Sequence, residues 1–141
     1  MMSVVIQLGT AFMGSLGFAM LFGMRRQLLV SAALGGMITW GIYIAANAWL
    51  EMGFLSCLAA SSFAIVYSEL LAKGYKTPAI LFVMSSIIPL VPGSSLYYAM
   101  SEAIRGNMQQ AKSYGSETFM TALAIACGIS LVTALRDLKR K

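Results

Sequence analysis

The sequence predicts an all-α, polytopic integral membrane protein. It should have five transmembrane helices, an N-terminus outside, a C-terminus in the cytoplasm, and a fourth helix broken at Pro89–Gly93. Three observations carry this reading. Five stretches hold no charged residue: 1–24, 27–50, 52–68, 77–101 and 118–135. The ten basic and five acidic residues are confined to the short segments between and after them. The fourth stretch contains all three prolines of the chain. A bilayer core about 30 Å thick takes roughly 20 apolar residues of helix at about 1.5 Å each. The charged fraction is 11%, against ~25% in soluble domains. Five spans in 141 residues leave no length for a soluble catalytic domain, so 1–141 reads as a single transmembrane domain.

Helix one is expected near 3–23. The start, Met1-Met2-Ser3-Val4-Val5, has no basic n-region and no small-residue cleavage pattern follows, so this is read as a retained span rather than a signal peptide. Gly9, Gly14 and Gly17 mark it as rich in small residues. Helix two, near 28–50, pairs Ala32 with Gly36 and Gly41 with Ala45 at small-xxx-small spacing. Small residues let helix backbones approach closely in lipid. These two faces serve either packing within the chain or docking to a partner subunit. Trp49 is placed as an interfacial anchor, with Trp40 and Tyr43 deeper. Helix three is expected near 52–72, helix four near 78–100 and helix five near 116–136. Segment 101–115 is the longest turn, read as a polar connector or a short interfacial helix.

The turns alternate in charge. Arg25 and Arg26, Lys73 and Lys76, and the tail residues Arg136, Lys139, Arg140 and Lys141 fall on one side. Only Arg105 and Lys112 fall on the other. The positive-inside rule then puts the N-terminus outside. A net charge of +5 dispersed over turns and a tail is no nucleic-acid surface. With no His, imidazole acid–base chemistry and His-ligated metal sites are excluded. Cys57 and Cys127 sit in different spans, spaced neither as a zinc motif nor as a disulfide framework. No cofactor, no metal and no enzymatic activity are expected.

Chemistry concentrates in helix four. Pro78 sits where a helix start tolerates it. Pro89 and Pro92 do not, and their spacing from Pro78 places them close to the bilayer midplane. Each lacks the N–H that would bond the carbonyl four residues back, here those of Ser85 and Ile88, and each pushes its predecessor away from helical angles. Gly93 permits unusual backbone. A break spanning about 88–93 follows, with a new half-helix starting near Ser94. Interrupted backbone at membrane depth is tolerated inside protein or beside a water-filled cavity. A half-helix N-terminus offers free N–H groups and roughly half a positive charge, which suits a carboxylate. Ser94 and Ser95 add hydroxyls from one half, and Ser85 and Ser86 from the other. Discontinuous helices of this kind form substrate sites in transporters. The predicted substrate-binding set is therefore Ser85, Ser86, Pro89, Pro92, Gly93, Ser94, Ser95 and Tyr97. Tyr97 and Tyr98 lie one turn beyond the break, where one can face the cavity or both can sit in an interfacial belt. Glu69 is either paired with Lys73 at i,i+4 or a coupling or gating carboxylate.

The stretch Ile87-Ile-Pro-Leu-Val-Pro-Gly-Ser-Ser-Leu-Tyr-Tyr98 resembles the signature of the threonine/serine exporter family. Around it stand a basic turn Arg25-Arg26-Gln27-Leu28-Leu29, a Gly-rich second span, and Glu69-Leu-Leu-Ala-Lys73 leading to Pro78. The resemblance is to the family's C-terminal membrane domain and covers nearly the whole chain. It implies an exporter of small carboxylate-bearing metabolites. Two-component members of the family split the two halves into separate chains, and a bacterial succinate exporter is built that way. For this chain the resemblance implies the small subunit of such a pair, with a second membrane subunit supplying the N-terminal half. Two five-span halves of opposite topology would suit an inverted-repeat carrier.

Together these readings predict a secondary-transporter subunit in the inner or plasma membrane of a bacterium. It would sit in lipid and export threonine and serine or a dicarboxylate such as succinate. The alternatives are a non-transporting scaffold that stabilises the partner, or a homo-oligomeric channel.

Overall fold

The structure, a computed structural model, describes residues 2–140. Lys141 and the side chain of Arg140, counted above in the basic tail, lie outside the described residues. The chain forms α1 (Met2–Leu21), α2 (Arg26–Leu50), α3 (Gly53–Tyr75), α4 (Ala79–Ile87), a 3-10 turn (Ile88–Leu90), α5 (Gly93–Ile104) and α6 (Met108–Arg140). No strand occurs among the described residues.

Tight left-handed turns end the early helices. Gly23 takes φ 67° after α1. Glu51 (φ 49°) caps α2 with its N–H on the Asn47 carbonyl, and Lys76 (φ 51°) caps α3 on Ala72. The connections at 22–25 and 51–52 are short, so α1, α2 and α3 pack as antiparallel neighbours. A Cβ at Gly36 would collide with Ser15 of α1, and one at Gly41 would lie 3.5 Å from Leu8. Tyr67 of α3 donates its hydroxyl to the Ser31 carbonyl of α2 at 2.8 Å.

α1, α2, α3 and α6 are each long and apolar enough to cross a bilayer. α4 and α5 form one further apolar unit, bent by 51° at its break. The packing of α6 on α3 decides whether that unit crosses or turns back. Cys57 meets the Thr121 carbonyl, Ser61 abuts Gly128, and Glu69 meets Arg136. Residue numbers rise together along both helices, so α3 and α6 are parallel. A re-entrant loop would have made them antiparallel. The α4–α5 unit therefore runs the length of the bundle rather than turning back, giving five traversals of the bundle, each long and apolar enough to be a span.

Two expectations change here. Segment 101–115 is not a long connector: α5 runs to Ile104, the turn is only 105–107, and α6 begins at Met108. Gly106 at φ 80° makes that turn possible. The Glu102 carboxylate holds it, accepting from Arg105 and Asn107. Polar residues looked like loop, yet they continue a helix of 33 residues, about 50 Å long and longer than the bilayer core. The break is also off-centre. Leu90 packs with Cys57, Ala60 and Ala124. Cys57 lies four residues into α3, so the break sits roughly 10 Å from that helix's midpoint. Counting residues from Pro78 had assumed a span centred on the membrane.

The interior is built from small side chains. α2 buries Ala32, Ala33, Gly35 and Gly36, and α3 buries Cys57, Ala60, Ser61, Ala64 and Ser68. Among the described residues Phe82 is the one aromatic fully enclosed, whereas Phe119, Leu135 and Ile104 face outward. Without hydrophobic drive in lipid, close backbone contact through small residues holds the helices. Most buried hydroxyls are satisfied within their own helix: Ser61 on Leu58, Ser68 on Ala64, Ser85 on Leu81. The small-residue faces of helices one and two thus separate. That of α2 is used inside the chain at Ala32 and Gly36, with Ala45 left exposed, while Gly9, Gly14 and Gly17 of α1 would meet nothing within 4 Å.

Candidate functional site

Pro89 and Pro92 shape the break as their chemistry requires. The helix tightens to 3-10 geometry over Ile88–Leu90, Val91 is extended at ψ 124°, and Pro92 takes φ −77°, ψ 56°. The Ile88 carbonyl does not go unbonded as expected, because the Val91 N–H reaches it at 3.2 Å. The Ser85 carbonyl, to which Pro89 can give no N–H, faces Gly36, where a Cβ would stand 3.3 Å away. Gly93 is the first residue of α5 and has no positive φ, so its special freedom is not used. Its N–H bonds the Val91 carbonyl at 2.8 Å, and Leu96 bonds Pro92 at 3.1 Å. The N–H groups of Ser94 and Ser95 find no backbone acceptor among the described residues.

The same two residues line a cavity of about 190 Å³, room for roughly six waters. One wall is the break itself, Pro89 to Pro92 with Ser94 and Ser95. The opposite walls are Trp40 and Tyr43 of α2, Cys57 of α3, and Glu117 and Thr121 of α6. Trp40 and Tyr43 stack at 5.0 Å between ring centroids. The Trp40 Nε1 is buried and has no acceptor. Trp40 and Pro89 also border an open groove of about 270 Å³, whose other side is formed by the exposed Gln7, Thr10 and Gly14 of α1. They form the partition between the two spaces.

Of the predicted site residues, the structure brings Pro89, Pro92, Ser94 and Ser95 to the cavity, with Gly93 between them in sequence. Ser85 and Ser86 are fully buried at the crossing of α4 with α2. The Ser85 hydroxyl is committed to Leu81 at 2.9 Å, and the Ser86 hydroxyl packs over Gly35 without a partner. Tyr97 is 68% exposed on the outer side of α5, edge-on to Tyr98, which in turn packs on Tyr114. Glu69 lies twelve residues from Cys57 along α3, about 18 Å away, and pairs with Arg136 at 2.6 Å rather than with Lys73. Sequence reasoning did not find Trp40, Tyr43, Glu117 or Thr121 as lining residues. Glu117 fell in the first turn of the helix expected near 116–136 and was given no role there. The register of α6 against α5 carries it to the break.

Residues 7–135 match the family model described as "Threonine/Serine exporter, ThrE". The chain belongs to the threonine/serine exporter family. No curated protein and no solved structure matches it. The matched stretch runs from Gln7 to Leu135, so it includes the break and every residue of its cavity. For a member of an exporter family, an interrupted span with free amide donors beside a polar cavity is the arrangement that can hold a small anionic solute within the membrane.

Proposed function

We propose that this chain is a subunit of a secondary transporter that exports small carboxylate metabolites, threonine and serine or a dicarboxylate such as succinate. The observation that carries the reading is the pair of unbonded N–H groups at Ser94 and Ser95, two residues that line the break cavity. A substrate carboxylate accepts from both, stabilised by the partial positive charge of the α5 N-terminus. The two serine hydroxyls and the Trp40 Nε1 add donors from either side. Thr, Ser and succinate all present a carboxylate of this size.

The orientation we assign is N-terminus outside, from the excess of basic residues on the C-terminal side. The break then lies toward the outer face, the release side for an exporter. The membrane is the inner or plasma membrane of a bacterium. A second membrane subunit completes the carrier, and α1 is its docking face. Gln7 and Thr10 and the open glycines Gly14 and Gly17 share one stripe of α1. Polar and small groups facing lipid favour helix association. Glu69, held by Arg136, is the coupling or gating carboxylate.

Export from cells carrying Ser94→Ala with Ser95→Ala tests the reading. At normal membrane levels, export of the substrate should fall. Unchanged export would reject the two hydroxyls as donors. Ser94→Pro removes one N–H at a first-turn position that tolerates proline, and so tests the amides. Unchanged export there would reject the break as the site. If the partner alone, reconstituted in liposomes, carried full flux, this chain would be a scaffold. Flux that never runs against a gradient would point to a channel.

A further inference from the structure

We propose that Glu117 provides the counter-charge for a substrate ammonium group, so that the break cavity selects an amino-acid zwitterion over a dicarboxylate. This rests on the reading of the cavity as the transport site.

The register of α5 against α6 places the two ends of such a substrate. Tyr98 packs on Tyr114 with ring centroids 5.6 Å apart. The helices on either side of the tight turn at 105–107 run antiparallel, so three residues back along α5 is three residues forward along α6. Ser95 therefore stands opposite Glu117, and both line the cavity. One side presents the amide donors of an α5 N-terminus and the other a carboxylate. A carboxylate and an ammonium one carbon apart complement that pair.

Three of the other four acids are already engaged. Glu69 and Asp137 pair with Arg136, and Glu102 pairs with Arg105. Glu117 makes no ion pair and no side-chain hydrogen bond among the described residues. No Lys or Arg lines the cavity to neutralise it. Thr121 donates its hydroxyl to the Glu117 carbonyl at 2.9 Å, which leaves the Thr121 oxygen free to accept from an ammonium. A dicarboxylate meets none of this: its second carboxylate would lie against Glu117 with no cation between them, a like-charge contact.

Transport into inverted vesicles from native membranes carrying the full chain tests the proposal. Wild type should take threonine, and the hydroxy acid that lacks only its amine should compete about tenfold more weakly, as expected for loss of one charge-assisted hydrogen bond. Glu117→Gln should raise the KM for threonine about tenfold, leave the maximal rate largely intact, and narrow the gap between the two compounds. Glu117→Asp should keep the discrimination. Equal competition in wild type, or a Glu117→Gln effect confined to the maximal rate, would overturn it. Ser95→Ala separates the two claims, because it should weaken amino acid and hydroxy acid alike. If it does and Glu117→Gln does not discriminate, only the ammonium assignment fails. If neither variant matters, the ammonium assignment fails, and Ser94→Pro, which removes one of the amide donors, then decides whether the cavity is the site.

Discussion

Arg136 Nη1 donates to Glu69 Oε1 at 2.6 Å, tying the far end of α6 to α3. The pair forms because the two helices run parallel and in register from Cys57 onward. Lys73, one turn from Glu69 on its own helix, is not its partner. The Glu69 side chain is only 17% exposed and that of Arg136 45%, so water screens the pair partly. Arg136→Ala should lower stability by about 1 kcal/mol. The reversed pair, Glu69→Arg with Arg136→Glu, should recover part of that loss. Thermal unfolding in detergent of wild type, Glu69→Arg, Arg136→Glu and the double reversal gives the coupling; strictly additive losses would mean the contact contributes nothing.

Glycines should divide by location. At Gly128 an added Cβ meets Ser61 and stands 2.9 Å from the Leu58 carbonyl. A serine side chain can rotate, but a helix backbone must shift as a whole. Gly128→Ala should therefore cost roughly 1–3 kcal/mol. Gly14→Ala has open space around it and should be neutral or gain up to about 1 kcal/mol from helix propensity. The same melting experiment compares them directly.

Trp40→Phe keeps the ring stacked on Tyr43 and removes a buried donor that lacks a partner. An unsatisfied buried donor costs about 1–3 kcal/mol, so the variant should be at least as stable as wild type. If the Nε1 binds the substrate carboxylate, affinity should fall about fivefold, the equivalent of one ordinary hydrogen bond. Raised stability with weakened transport would identify a donor kept for its ligand. Raised stability with unchanged KM would leave it a packing residue.

Replacing both Pro89 and Pro92 by alanine should straighten the fourth span. Interior prolines cost about 3 kcal/mol each in a helix, so the variant should melt no lower than wild type. The new N–H groups and continuous helix would close the cavity and bond the freed carbonyls. Transport should then be lost at normal membrane levels. Retained transport in the straightened variant would show that the break is only a bend.

Much of this molecule was legible before any coordinates. Charge-free stretches of about twenty residues can be satisfied only as spans, because unbonded backbone is too costly in lipid. Pro89 and Pro92 had to interrupt the helix that contains them, since neither can donate and both crowd the preceding turn. Ser94 and Ser95, following directly, had to open the next half-helix. These are local consequences of covalent chemistry, and the sequence by itself determined them.

The other features depend on which surfaces meet. Ser85 and Ser86 resembled site residues by spacing alone, but α4 turns them onto Gly35 and Gly36, and hydroxyl chemistry there became packing. Tyr97 faces outward because Tyr98 takes the position against Tyr114. Glu69 found Arg136 across a helix interface that no local pattern encodes. Glu117 reaches the cavity because α6 starts nine residues before it and runs antiparallel to α5. Composition fixes where a chain must cross a membrane. Only the registers between helices, set by small residues allowing close approach, decide which side chains share a cavity.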